Sequence, residues 1–413
     1  MGLLRHGLMA GWWLTLTVGI SAQPMTLPDA PVAPRGYGAV AAAPMPAALG
    51  PADAADGGWT ELLPDLTIRA VASLYHDTNP GQSPDTVAFP AEPGITGSIA
   101  PEFEWSREAA WWKAVVIASG THDEHFENTR YNAERYRFNG QFDVEAGRWD
   151  LRTHLEHDYN DGINRYFGEA FAETTERARI TLAYELSPKT SLQTRWQSAW
   201  NEREGGRGSN ENHTLLTSGL WRYSPLLEFG PGLSIKRSIG NSGKRRDTIG
   251  PALSAGYQLS RKVGITSEIG MDFVDYSNGR SDSFLSTRIA ADYRLSRLWS
   301  FNLSVLRDVE PDGPAGSGFR EVTAMNLGVR RQVRRMSLGL AAGYETNDYT
   351  SESGTTGIKP GLDFTTLQLD LTFPILSDQL GGMLFIRQQE SRSDSANDRW
   401  DSTQLGASIL CQF

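Results

Sequence analysis

From about Leu66 to the C-terminus, apolar and polar residues alternate one for one, in runs long enough for tilted strands to cross a bilayer, which takes about 9–11 residues. The clearest run is Arg135 to Ala146. Tyr136, Phe138, Gly140, Phe142, Val144 and Ala146 alternate with Arg135, Arg137, Asn139, Gln141, Asp143 and Glu145. A period of two puts every ring and methyl on one face of a strand and every charge on the other. After Gly147 and Arg148, which give hairpin spacing, Trp149, Leu151, Thr153, Leu155, His157 and Tyr159 alternate with Asp150, Arg152, His154, Glu156 and Asp158. A third run sets Ala178, Ile180, Leu182 and Tyr184 against Arg177, Arg179, Thr181 and Glu185.

Eighteen such segments are expected, centred near residues 70, 100, 115, 140, 153, 181, 196, 218, 233, 253, 269, 289, 303, 325, 341, 368, 384 and 407. Pro101, Pro231 and mixed polarity blur the segments near 100, 233 and 325, so the count is bracketed at 16–20. Connections alternate in length. Short ones are expected near 107–110, 147–148, 187–190, 224–225, 260–262, 296–298, 332–335 and 374–378. Long polar ones are expected near 76–93, 120–130, 160–174, 202–212, 240–247, 277–283, 308–318, 346–362 and 389–399. Tight turns at one end and long loops at the other are the rhythm of an all-β, transmembrane, antiparallel up-and-down β-barrel with both termini on the periplasmic side. A soluble β-sandwich fits less well, because its strands are shorter.

Composition agrees with that pattern. Gly numbers 42, and Trp, Tyr and Phe number 12, 13 and 16, which suits tight turns and interfacial girdles. Net charge is −10 with no basic block, which excludes nucleic acid as an expected partner. The single Cys, Cys411, excludes an internal disulfide. The N-terminus reads as a signal peptide over residues 1–22. Its apolar stretch, Leu8 to Ile20, is short of the roughly 20 residues of a helical span, and cleavage is expected before Gln23. Residues 23–60, rich in Pro and Ala, read as a flexible periplasmic leader, and 61–413 as the barrel.

The polar strand faces supply the candidate lumen lining: Arg135, Arg137, Asp143, Glu145, Asp150, Arg152, Glu156, Arg177, Arg179, Glu185, Arg195, Arg288, Asp292 and Arg294. These charges could tune ion passage, or simply satisfy one another as cross-strand pairs. Their signs nearly cancel, so neither strong anion nor strong cation preference is expected. Trp105, Trp111, Trp112, Trp149, Trp200, Trp221, Trp299 and Trp400 fall mostly near strand ends, as interface girdles do. His122-Asp123-Glu124-His125 has ligand-type residues but falls in an expected loop, where polar residues are ordinary; no metal or cofactor is expected. His154 lies near Asp150 and Glu156 without a visible nucleophile pattern, so no catalytic residue is assigned and the chain is not expected to be an enzyme.

The chain ends Gln404-Leu405-Gly406-Ala407-Ser408-Ile409-Leu410-Cys411-Gln412-Phe413. An apolar face closed by an aromatic residue, with Gln404, Gly406, Ile409, Cys411 and Phe413 in the characteristic places, resembles the assembly signal of outer-membrane barrels. That resemblance implies the barrel-assembly machinery as a partner, with outer-membrane lipid and lipopolysaccharide as surroundings. Ser73-Leu74-Tyr75-His76-Asp77-Thr78-Asn79, Ile99-Ala100-Pro101-Glu102-Phe103 and Leu186-Ser187-Pro188-Lys189-Thr190-Ser191-Leu192 resemble strand-and-turn signatures of the β-barrel porin 2 family, although His76 and Thr78 depart from its Tyr-Asp-Asp-Asn ending. The likeness covers roughly residues 65–413. It implies a Gram-negative outer-membrane channel or export conduit, with exopolysaccharide as candidate cargo and polysaccharide-export components as candidate partners. The alternatives are a plugged barrel serving an envelope complex, and a barrel enzyme.

Overall fold

The computed structural model describes residues 65–80, 92–164, 169–170, 172–204, 208–240, 243–260, 262–277, 279–311, 319–350, 361–377, 379–393 and 399–412. Within these the chain forms eighteen long strands. They are β1 (Leu66–Asp77), β2 (Gly94–Glu108), β3 (Trp112–His125), β4 (Ala133–Ala146), β5 (Trp149–Asn160), β6 (Glu173–Ser187), β7 (Thr190–Arg203), β8 (Gly208–Ser224) and β9 (Leu227–Ile239). The second half adds β10 (Arg245–Ser260), β11 (Val263–Tyr276), β12 (Ser281–Tyr293), β13 (Trp299–Pro311), β14 (Phe319–Val333), β15 (Met336–Thr350), β16 (Leu362–Ser377), β17 (Leu380–Ser393) and β18 (Trp400–Gln412).

Each strand pairs antiparallel with its sequence neighbour, and β18 returns to β1 with Gln412 opposite Arg69 and Gln404 opposite Asp77. The eighteen-stranded sheet therefore has no edge strand and is a closed barrel. Every expected segment centre falls inside one of these strands. Residues 1–22 and 23–60, and Phe413, lie outside the described residues.

Several expected loops are shorter than the sequence suggests. β3 runs on to His125, β7 to Arg203, β15 to Thr350 and β17 to Ser393, all through stretches assigned to loops. The strands are 12–17 residues long, more than a bilayer needs. Above the apolar layer both faces meet polar surroundings, so alternation fades while backbone pairing continues.

The two faces are told apart by contacts between strands that are not neighbours, which can meet only on the concave side. Arg195 of β7 pairs with Glu268 of β11, and Lys236 of β9 reaches Asp308 of β13 at 2.9 Å. Both belong to the charged register, so that register faces the lumen. The opposite register is apolar and exposed, with Leu74, Phe103, Phe138, Ile180, Leu215, Leu253, Phe273, Leu327, Leu369, Leu384 and Ile409 among its members. An apolar belt around a closed barrel is the surface of a bilayer-spanning protein. At the short-turn end it is bordered by the pairs Trp149–Tyr184 (4.3 Å), Trp221–Phe229 (5.6 Å) and Tyr293–Phe301 (5.8 Å). Trp400 is an exception to the girdle reading. It faces the lumen, buried against Leu362 and Phe364, because β18 begins in the inward register.

Candidate functional site in the barrel lumen

On β4 to β7 the inner wall carries a lattice of charge. Residues opposite one another form rows: Gln141–His154–Arg179–Gln197, and beside it Asn139–Glu156–Arg177–Ala199. Arg177 donates to Glu156 at 2.7 Å and to Asp158 at 3.0 Å, and Arg137 donates to Asp158 at 2.6 Å. Arg152 donates to Asp150 at 3.1 Å, Gln141 to Asp143 at 2.6 Å, and Arg135 pairs with Asp123. Glu268 lies between Arg195 and Arg288, 3.7 Å from the latter. Six of the fourteen sequence-derived lining residues, Arg135, Arg137, Glu156, Arg177, Arg195 and Arg288, thus sit in pairs between strands, and some groups stay wet; the Arg137 side chain is 56 % exposed and that of His154 is 42 % exposed. Glu145, Glu185 and Asp292 lie in the same register near the short-turn end, and Arg294 lies just beyond β12 in the turn.

The sequence reading missed partners that single strands do not advertise. Arg69 bridges Glu102 (2.6 Å) and Glu104 (2.7 Å), Arg203 meets Glu173 at 3.0 Å, and Lys236 lies 2.8 Å from Asp272. These positions share the inward register, so extending the alternation to every strand would have found them.

The wall is not evenly curved. Ser218 of β8 and Ser254 of β10 are hydrogen-bonded at 3.2 Å across β9. Second-neighbour strands in a flat sheet lie about 9–10 Å apart, so the sheet turns a tight corner here. Gly230-Pro231 and Gly250-Pro251 make it. Each proline lacks an N–H, and each ladder skips the two residues concerned. A Cβ on Gly230 would lie 1.8 Å from the Gly219 carbonyl oxygen, so only glycine fits. This corner lets Arg195 reach Glu268.

At the long-loop end the inward side chains are buried around most of the circumference. Thr96 and Asn347 are 0 % exposed, and Asp77, Asp123, Glu173, Asn201, Asn210, Arg246, Arg320, Leu362 and Ser402 are also buried. Two features build this layer. The β3–β4 connection folds back as a 3-10 turn, Thr129–Tyr131, which lays Tyr131 edge-on against His125 at 5.8 Å, while His125 meets Thr96 at 2.7 Å. Opposite it, the β13–β14 hairpin leaves the wall. Pairing of β12 with β13 stops at Thr287–Arg307, although β13 and β14 remain paired to Pro311–Phe319. Beyond that point the outward-register Val309 and Phe319 pack against the inward-register Val274, Tyr276 and Phe284. Arg246 donates to the Val309 carbonyl at 2.7 Å and lies over the Phe319 ring. The paired ends of β13 and β14 have thus folded into the mouth.

At the short-turn end the inward wall is mixed: Lys113, Glu145, Asp292, Ser300 and Gln332 are exposed and Glu185 and Gln193 half-buried, while Asp150, Glu228, Met383 and Leu410 are buried. The lumen is therefore a vestibule reached from the short-turn end along β3, β4 and β12 to β14, and narrowed at the long-loop end.

The remaining chemistry-bearing residues are dispersed. His122 and Glu124 point outward and Asp123 and His125 inward, on a strand rather than in the expected loop, so the four cannot share one ion. Among the described residues no group of three or more His, Cys, Asp or Glu side chains is placed to hold a metal. His154 has Glu156 at 4.0 Å within the charge lattice. On the lipid face Ser198 and His213 are 2.6 Å apart, with Glu211 3.7 Å from the other ring nitrogen. Ser198 is only 3 % exposed, and its backbone neighbours are committed to the β7–β8 ladder. The contact satisfies a hydroxyl and an imidazole at the edge of the apolar belt.

The C-terminal strand has its own geometry. Leu405, Ala407, Ile409 and Cys411 face outward, whereas Gln404 and Gly406 face inward. Gln404 and Ser402 each donate to Asp77 at 2.8 Å, stitching β18 to β1. Gly406 makes room for Tyr75 and Phe385, whose atoms would lie 2.5 and 2.6 Å from a Cβ there.

Comparison with protein-family models finds no match, and no curated protein matches the chain. Solved structures similar to it include the siderophore receptor PirA from Pseudomonas aeruginosa, at 10 % identity over 84 % of this chain and 80 % of that one, with a TM-score of 0.38. The FrpB iron transporter from Neisseria meningitidis (F3-3 variant) is similar at 8 % identity over 81 % of this chain and 64 % of its own length, with a TM-score of 0.42. OccK2 (OpdF) of P. aeruginosa is similar at 12 % identity over 85 % and 99 %, with a TM-score of 0.44. At these values the likeness adds nothing to the ladder, and it is the ladder that makes this chain a closed eighteen-stranded antiparallel barrel.

Proposed function

We propose that the chain is an integral outer-membrane protein of a Gram-negative bacterium that acts as a porin-like conduit, with its short-turn end in the periplasm. The observation that carries this reading is the vestibule: a charged, partly wet inner wall with exposed groups at the short-turn end, inside an apolar belt. Water and small solutes entering it meet compensated charges, which favour passage of polar molecules over sorting by sign. The resemblance to the β-barrel porin 2 family supports an exopolysaccharide as cargo and polysaccharide-export components as partners. The test is single-channel recording of the purified protein in planar bilayers. Stepwise conductance is expected, and a uniformly silent, correctly folded protein would refute the conduit.

A second reading, a plugged barrel acting as a partner in an envelope complex, draws on the buried layer at the long-loop end. It predicts no conductance under any condition, together with crosslinks from the barrel rim to neighbouring envelope proteins.

A further inference from the structure

The β13–β14 hairpin occupies the lumen at the expense of its own wall. β12 continues to Ser281 and β13 to Pro311 in extended conformation, yet no ladder joins them beyond Thr287–Arg307. Among the described residues, no other strand pairs with that side of β12. The interrupted register can be extended without a shift: Ser286 would come opposite Asp308, and Leu285 opposite Val309. In that extended ladder Val309 and Phe319 would point outward, like Leu285 and Met325 of the same register, which are exposed on the belt. The alternation of β13 and β14 thus fits a completed wall, while the structure shows the same residues packed inside.

We propose that the paired ends of β13 and β14, Asp308–Pro311 and Phe319–Glu321, are a gate with two seats, one in the mouth of the lumen and one in the wall; this deepens the conduit reading and rests on it. The inner seat is held by contacts reaching over the intervening strands. Lys236 binds Asp308 at 2.9 Å while also holding Asp272 at 2.8 Å. Arg246 caps the Val309 carbonyl and covers Phe319, and Phe319 packs on Tyr276 at 5.5 Å. On its lumen side the hairpin presents Arg320, which is buried. The outer seat exchanges these contacts for ladder hydrogen bonds between β12 and β13 and for apolar side chains in lipid. Both seats take Val309 and Phe319 out of water; the inner seat satisfies the Val309 carbonyl through Arg246 and the outer seat would satisfy it in the ladder, the condition for a bistable element. Swinging outward removes the obstruction and restores a continuous wall.

Paired cysteines in a Cys411→Ser background test this. Val274→Cys with Val309→Cys locks the inner seat, since the two valines share one cluster. Leu285→Cys with Val309→Cys locks the outer seat, since directly opposed residues of an antiparallel pair have Cα atoms about 4.5–5.5 Å apart, within disulfide range. Both disulfides are expected to form in membranes. The outer lock should raise single-channel conductance severalfold over the inner lock, and reduction should return both to the wild-type level. Lys236→Ala, without any disulfide, should lengthen the time spent at high conductance. Failure of the outer pair to oxidise while the inner pair does overturns the gate, as does equal conductance of the two locked forms. Silence of the outer-locked form, with both disulfides formed, overturns the conduit reading itself and the gate with it.

Discussion

Asp77 is the residue on which the barrel's closure converges. Its carboxylate accepts from Ser402 and Gln404 of β18, each at 2.8 Å, and from the backbone N–H of Asn79 at 2.8 Å. Removing a buried acceptor that serves three donors leaves those donors unsatisfied, at about 1–3 kcal/mol. Asp77→Ala should therefore lower the temperature at which the folded barrel unfolds in detergent, read as heat-dependent migration on gels. A conservative change at the exposed Arg137 should not. At this scale the sequence was informative in part. Alternation put Arg135, Glu156 and Arg195 on the polar face, but it could not say that Arg195 meets Glu268. Such partners depend on how the wall bends, and no single strand encodes that.

Among the elements, the corner between β8 and β11 shows what local pattern can and cannot reveal. Pro231 blurred the alternation near residue 233, and the blur marked a real interruption of pairing. Gly230→Val should abolish or sharply reduce folding into liposomes, because the added carbons would occupy the Gly219 carbonyl oxygen. Pro231→Ala restores a donor and should be milder; comparing the two refolding yields checks the assignment. Strand centres were legible because each strand must keep one face in lipid. Strand ends were not, since above the apolar layer that pressure lapses. The inward turn of β13 and β14 was illegible for a different reason: Val309 and Phe319 sit in the register of lipid-facing residues and carry no mark of their lumenal seat.

For the whole molecule, the asymmetry between the two mouths makes a prediction independent of any current. Single cysteines at Lys113 or Glu145, in the Cys411→Ser background, should react quickly with a charged thiol reagent applied from the short-turn side. Cysteines at Asn347 or Thr96, both 0 % exposed, should react far more slowly. Equal rates would contradict a vestibule closed at one end. Where conductance is seen, a salt gradient should give a reversal potential close to zero, because acidic and basic groups compensate along the wall. A large potential of either sign would show that unpaired charge controls the passage.

The β1–β18 seam also governs the order of events when the barrel forms. Every other strand of the barrel meets a neighbour adjacent in sequence, whereas Ser73 and Ser408 meet across 335 positions. Joining ends that far apart costs about 3 kcal/mol more in chain entropy than closing a hairpin of some fifteen residues. Hairpins can therefore zip in any order, but circularisation must come last and be slowest. The contacts of Asp77 with Ser402 and Gln404 exist only once the circle is complete, so weakening them should speed reopening of the seam while leaving the early hairpins untouched.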